Sequence, residues 1–215
     1  DDALASTVRR AAKAGVRLVS YGRGDTHGIT SCWGDSGDDY SELDALSDRI
    51  LAANPETLLV PRISLNAPVW WQAKHPDECV VFDDGTSGRN ASVSSRLYRE
   101  EAKAFLTRVC RHLINRYPAN FAGIHPAGQG TEWFYAGSWH HLAGCDAPAA
   151  AAFRAWTRRH GGTDAEAVVP SPESRRDGVR GKILLDPAAD RTQIAFNRFL
   201  QEEMADCLVE FAKTC

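Results

Sequence analysis

The sequence is marked first by what it lacks. No apolar stretch approaches the length needed to cross a bilayer. The charge is spread without long single-sign runs and nets to −3, so neither a nucleic-acid groove nor a face for anionic membranes is written into it. Six cysteines, at positions 32, 79, 110, 145, 207 and 215, form no CxxC pair and no regular spacing. That pattern argues against a zinc knuckle and demands no disulfide framework. Cys110 and Cys207 fall on apolar helix faces and read as small buried hydrophobes. No glycine-rich phosphate loop follows any predicted strand, so a dinucleotide-binding fold lacks its fingerprint. No secretory leader is visible, but the first residue is Asp1 rather than Met, and Asn90-Ala91-Ser92 is a formal glycosylation sequon. The compartment, cytoplasmic or secreted, stays open.

What is present is ordinary globular composition, 43% hydrophobic and 25% charged over 215 residues. That length suits one large domain or two small ones.

Helix and strand alternate. Residues 2–14 are helix-like and stop at Gly15, and Val16 to Tyr21 is a short strand closed by Gly22 and Gly24. A polar loop with Asp25, His27 and Trp33 follows. Tyr40 to Ala53 places Leu43, Leu46, Ile50 and Leu51 at helical spacing. Thr57 to Leu65 is the next strand, and 66–94 reads as a long irregular segment. Ser95 to Tyr117 is a strongly amphipathic helix, and Ala122 to Pro126 a third strand. Ala147 to His160 is a shorter helix stopped by Gly161-Gly162, residues 163–186 read as loop, and Pro187 to Lys213 is a long final helix.

This rhythm is that of parallel α/β architecture. The long, polar, aromatic-rich segments all follow strand C-terminal ends, where (β/α)8 barrels build their sites, while helix-to-strand connections are short. Three strands, with a further one needed before the first helix, make about half a barrel. Parallel strands with an open edge are not stable alone. The expectation is therefore a piece of a longer polypeptide, or a chain that pairs with another, a homo-oligomer included.

The richest chemistry lies in FAGIHPAGQGTEWFY, Phe121 to Tyr135. A short apolar strand runs through glycines to one acid, Glu132, beside Trp133, Phe134 and Tyr135. A carboxylate against rings loses hydration, and its pKa climbs toward the range of a proton donor near neutral pH. Flat rings also suit the apolar faces of a sugar, so proton donation to a glycosidic oxygen is one reading. The other makes the three rings core residues and Glu132 the cap of a turn.

Further stretches carry a family likeness. PRISLNAPVWWQAKHPDE (Pro61 to Glu78) resembles the third-strand region of clan A glycoside hydrolases, especially the β-galactosidase-type family 42. Arg89, nine residues before Tyr98-Arg99-Glu100-Glu101-Ala102, is similar to that family's Arg ahead of a Tyr-Arg-Glu-Ala helix start. APAAAAFRAWTRRHGG (Ala147 to Gly162) resembles the helix after the catalytic acid, and FNRFLQEEMADCLVEF (Phe196 to Phe211) the fourth barrel helix. The likeness spans nearly the whole chain in order.

The resemblance implies that residues 1–215 are the first half of a TIM barrel's catalytic domain, through the fourth strand and fourth helix, with a long insertion around 133–188. It implies a retaining glycosidase with Glu132 as general acid/base and its nucleophile, expected at the seventh strand, outside this chain. Two carboxylates about 5 Å apart carry that chemistry without metal or organic cofactor. The implied partners are a carbohydrate substrate and the remainder of the barrel, with galactose the family-level sugar. One position departs: the clan places Asn before the acid, where this chain has Thr131, whose hydroxyl cannot copy both functions of an amide. Gln129 is the candidate replacement.

Asn66, Trp70 and Trp71 follow the second strand and are candidates for a sugar subsite, one ring in the site and one in the core. Arg89 offers a fork of donors to a sugar hydroxyl or a carboxylate. Tyr135 and Trp139 are candidate rim contacts. His140, His141 and Cys145 offer imidazole and thiolate to zinc, although adjacent histidines share no helical face and no fourth ligand stands nearby. Arg175, Arg176 and Arg180 read as a solvated basic loop. The rivals to the glycosidase are a non-catalytic carbohydrate-binding or structural relative and a metal-dependent hydrolase.

Overall fold

A computed structural model describes residues 2–22, 28–128, 141–177 and 184–214. They form two compact units, one of Asp1–Pro68, Ala102–Trp133 and Phe211–Cys215, the other of Val69–Glu101 and Phe134–Glu210.

The first unit is a parallel sheet with helices. Helix α1 (Ala3–Lys13) starts at Asp2, whose carboxylate accepts the Leu4 N–H, and stops before Gly15, at φ 79°. Strand β1 (Leu18–Tyr21) follows, then α2 (Ser41–Ala53), then β2 (Leu58–Ser64). The short β5 (His125–Ala127) completes the sheet in the order β1-β2-β5. All pairings are parallel: Leu18 lies opposite Leu58, and Arg62, Ile63 and Ser64 lie opposite His125, Pro126 and Ala127. The third strand thus begins later than the apolar run Ala122 to Ile124 implied. Phe121 makes only an isolated bridge to Leu59.

Alternation along β2 divides its faces. Leu59, Pro61 and Ile63 are buried on one side, and Leu58, Val60 and Arg62 are half-buried on the other. Helix α4 (Arg96–Arg116) contributes Phe105, Val109 and Leu113 to this unit's core. Its last turn carries Arg116 and, with His112 and the adjoining Tyr117, meets α2: His112 Nε2 lies 2.7 Å from Asp44, and Arg116 donates to Asp48 at 2.9 Å. Burial pushes the Tyr117 hydroxyl up to about 12, so it stays protonated and donates to Asp48. Of the sheet, β1 and β5 are the outer strands, and Leu18 is 58% exposed.

The second unit holds α3 (Val69–Lys74), a 3-10 turn (Pro76–Glu78) and the antiparallel hairpin β3 (Cys79–Val81) with β4 (Ser87–Ala91). It also holds α5 (Ala147–Arg159), α6 (Pro172–Asp177) and α7 (Arg191–Ala212) up to Glu210. The irregular reading of 66–94 is corrected here. The hairpin closes on Asp83-Asp84-Gly85, where Asp84 accepts both the Thr86 N–H and hydroxyl and Gly85 takes φ 81°. Asp146 caps α5 by accepting the Ala149 N–H at 2.8 Å. Phe153, Phe196 and Phe199 form an aromatic core, with ring centroids 5.0 to 5.8 Å apart.

The solvated reading of Arg175 is overturned. Its side chain is 6% exposed, donates to the Ala143 carbonyl at 2.8 Å and lies over the Phe196 ring. Cys110 and Cys207 are buried thiols. Among the described residues no helix is long and apolar enough to cross a membrane.

Candidate functional site at the strand ends

Parallel pairing brings the C-terminal ends of β1, β2 and β5 to one edge of the sheet. The tie is tight there: the Leu65 N–H donates to Ala127 O at 2.7 Å. After Tyr21 the chain returns at Ile29, which donates to Arg62 O and accepts from the Ser64 N–H. Gly28 makes that approach possible, with φ +75° and the Arg62 carbonyl 2.8 Å from where a Cβ would stand.

Asn66 lies two residues past Ser64, and its N–H donates to the Ser64 hydroxyl at 3.3 Å. By chain count Glu132 follows Ala127 by five residues. Glu132 itself, with Gln129, Thr131, Tyr135 and Trp139, lies outside the described residues, as do Asp25 and His27. Arg62 and His125 share the register step below Ser64 and Ala127, hence one face of the sheet. Sequence reasoning missed Arg62, although it is the one charge in the apolar strand TLLVPRISL. A guanidinium there is suited to holding a carboxylate or a hydroxyl. Trp33 is a core ring, 6% exposed and stacked on Phe105 at 5.0 Å.

In the second unit, Trp71 takes the packing half of the tryptophan pair. It is 0% exposed, donates through Nε1 to Glu101 at 2.6 Å and meets Tyr98 edge-on. Complete burial removes Trp71 from the candidate sugar contacts. Trp70 keeps partial exposure, with the Lys74 ammonium 5.0 Å from its ring centroid. Arg89 belongs to β4, and its side chain lies outside the described set.

His141 lies against the hairpin turn. Its Nδ1 lies 3.2 Å from Asp83 and its Nε2 3.4 Å from Asp84. His140 is outside the described residues. Cys145 is not part of this group: its thiol is a partner of Leu142 O and the Arg175 guanidinium.

No protein-family model matches the sequence, and no curated relative matches it. Solved structures do. A β-galactosidase from Bacillus circulans sp. alkalophilus superposes with a TM-score of 0.62 at 17% identity, over 100% of this chain and 32% of that one. A GH42 β-galactosidase from G. stearothermophilus gives 0.64 at 14%, over 97% and 30%. The catalytic domain of a β-amylase from Paenibacillus polymyxa gives 0.69 at 13%, over 98% and 59%. The chain thus spans about a third of the β-galactosidases' length. At such identities the likeness is one of fold: the chain is α/β, and its structural neighbours are TIM-barrel glycosidases.

Proposed function

We propose that this chain is the N-terminal half of a (β/α)8 catalytic barrel, residues 1–215 with an insertion at 133–188, in a retaining, β-galactosidase-like glycoside hydrolase. The observation that carries the reading is the shared strand-end edge: Ser64 and Ala127 pair in parallel register, and the chain leaves that edge toward Glu132 within five residues. The fold likeness to β-galactosidases supports it.

Glu132 is the general acid/base. It protonates the glycosidic oxygen as the C–O bond breaks, then takes a proton from the water that resolves the glycosyl-enzyme intermediate. The nucleophilic carboxylate, about 5 Å from the acid in retaining enzymes, comes from outside this chain. Asn66, Trp70, Arg89, Gln129, Thr131 and Tyr135 are the proposed sugar contacts, and Arg62 is added to them. Thr131 in the place of the clan's Asn favours one rival, a non-catalytic carbohydrate-binding relative.

The test is Glu132→Gln in the full-length protein, assayed on aryl galactosides. Turnover of a poor leaving group falls by about 10²- to 10⁴-fold, while a strongly acidic phenol leaving group suffers less. Unchanged turnover on both removes Glu132 from the chemistry. A wild-type protein that binds galactosides and hydrolyses none assigns the chain to the non-catalytic relatives.

A further inference from the structure

The hairpin turn and His141 form a cluster that the glycosidase reading leaves unused. Asp83, Asp84 and His141 present one donor atom each, all within 4.8 Å of one another. The backbone holds them in place. The Asp83 N–H donates to Leu142 O at 3.0 Å, and the Cys145 N–H to Val81 O at 3.1 Å, so the segment carrying His141 is stitched along β3. The Thr86 N–H and hydroxyl anchor Asp84 through Oδ1, leaving Oδ2 toward the imidazole. The same two bonds hold the Asp84 carboxyl below its ordinary range, so it is ionised at neutral pH.

The two sides of the ring are unequal. The Asp83 side chain is 0% exposed and lies 3.2 Å from Nδ1. A buried carboxylate there fixes the proton on Nδ1 and turns the Nε2 lone pair outward, the arrangement that orients metal-bound imidazoles. Outward lies Asp84 Oδ2, 3.4 Å from Nε2. That gap is long for a charge-assisted N–H···O bond, which closes to about 2.7–2.9 Å. It is also the separation of two ligands that each stand about 2.1 Å from a tetrahedral ion, about 3.4 Å.

The geometry points to a zinc-class divalent cation held between His141 Nε2 and the Asp84 carboxylate, with Asp83 fixing the imidazole from behind. An imidazole with a carboxylate selects a transition-series ion over calcium or magnesium, which take all-oxygen shells. Water completes the coordination. The ion ties the hairpin turn to the segment 141–145, a structural staple separate from sugar hydrolysis. Asp83 is a positioning residue, not a ligand.

Chelator-stripped protein titrated with zinc chloride tests this by calorimetry, alongside ¹⁵N NMR of the histidine rings. The expected result is one zinc per chain, a shift of the His141 Nε2 signal, and no response to magnesium. His141→Ala and Asp84→Asn abolish the event, and Asp83→Asn weakens it about 10- to 100-fold with stoichiometry kept. Cys145→Ser leaves it unchanged. Asp84→Asn retains the Oδ1 acceptor for Thr86, so it stays informative if His141→Ala misfolds. Zinc binding of equal strength in Asp84→Asn overturns the proposal, as does no binding by the wild type. So does a His141 ring protonated on both nitrogens at neutral pH and unmoved by zinc, because a proton then fills the gap.

Discussion

The two units handle charge in opposite ways. In the sheet unit ion pairs such as Arg49 with Asp2 and Arg116 with Asp48 sit at the surface, each arginine about half exposed. Its interior is apolar, built on Leu59, Ile63, Phe105 and Val109. In the second unit charge goes inside. Arg99 is 3% exposed and donates to Val93 O, Glu203 O, Glu203 Oε1 and Glu210 Oε1. Arg175 is enclosed likewise. Exposed pairs are screened and contribute little, whereas a buried charge destabilises strongly once its partner is lost. Cohesion in one unit therefore rests on apolar area, and in the other on charges remaining matched.

The sharpest way to break this contrast is Arg99→Ala, which strands Glu203 in an environment that already raises its pKa by burial. A loss of about 3–5 kcal/mol is expected in urea unfolding. Converting the pair together, Arg99→Met with Glu203→Leu, recovers most of it, because an apolar core can replace a buried ion pair. Failure of the double variant to recover would mean the arginine matters for more than charge balance. In the sheet unit the counterpart is Leu59→Ala, worth about 2–5 kcal/mol through the cavity it leaves.

Asp146 sharpens the contrast with a sign. Burial holds its carboxyl above the ordinary aspartate range, against the opposing bonds from Ser92 and Ala149. The folded state thus holds that proton more tightly than the unfolded chain, and stability drains away as pH rises from about 4 through the raised folded pKa. Asp146→Asn keeps a capping oxygen for the Ala149 N–H and removes the charge. Urea midpoints of the two proteins diverge in favour of Asn between pH 4 and 7; divergence the other way refutes the assignment. The smallest effect is Arg17→Ala, which removes the exposed pair with Glu56 at a cost of about 0.2–1 kcal/mol in the same assay.

The sheet unit was also the more legible from sequence. Periodic apolar residues located α1, α2, α4, α5 and α7 within a few positions, and short apolar runs located β1 and β2. The hairpin escaped because β4, SGRNA, contains no β-branched or aromatic residue. Helix α3 is six residues long, too short for a period to emerge. Arg175 looked solvated because its carbonyl partner, Ala143, is 32 residues away. His141 was noticed for its neighbours His140 and Cys145, while its true partner Asp83 lies 58 positions upstream. Long-range polar pairing leaves no local trace, so the features on which the second unit depends were the ones least readable.

Strand β1 has a practical consequence. Among the described residues no strand pairs with its outward flank, and Val16 and Leu18 add exposed apolar side chains to the same border. Such a border solicits further strands from whatever chain is nearest. Recombinant preparations of this sequence will cloud with rising concentration, and a lysine at position 18 is the simplest remedy to keep them clear.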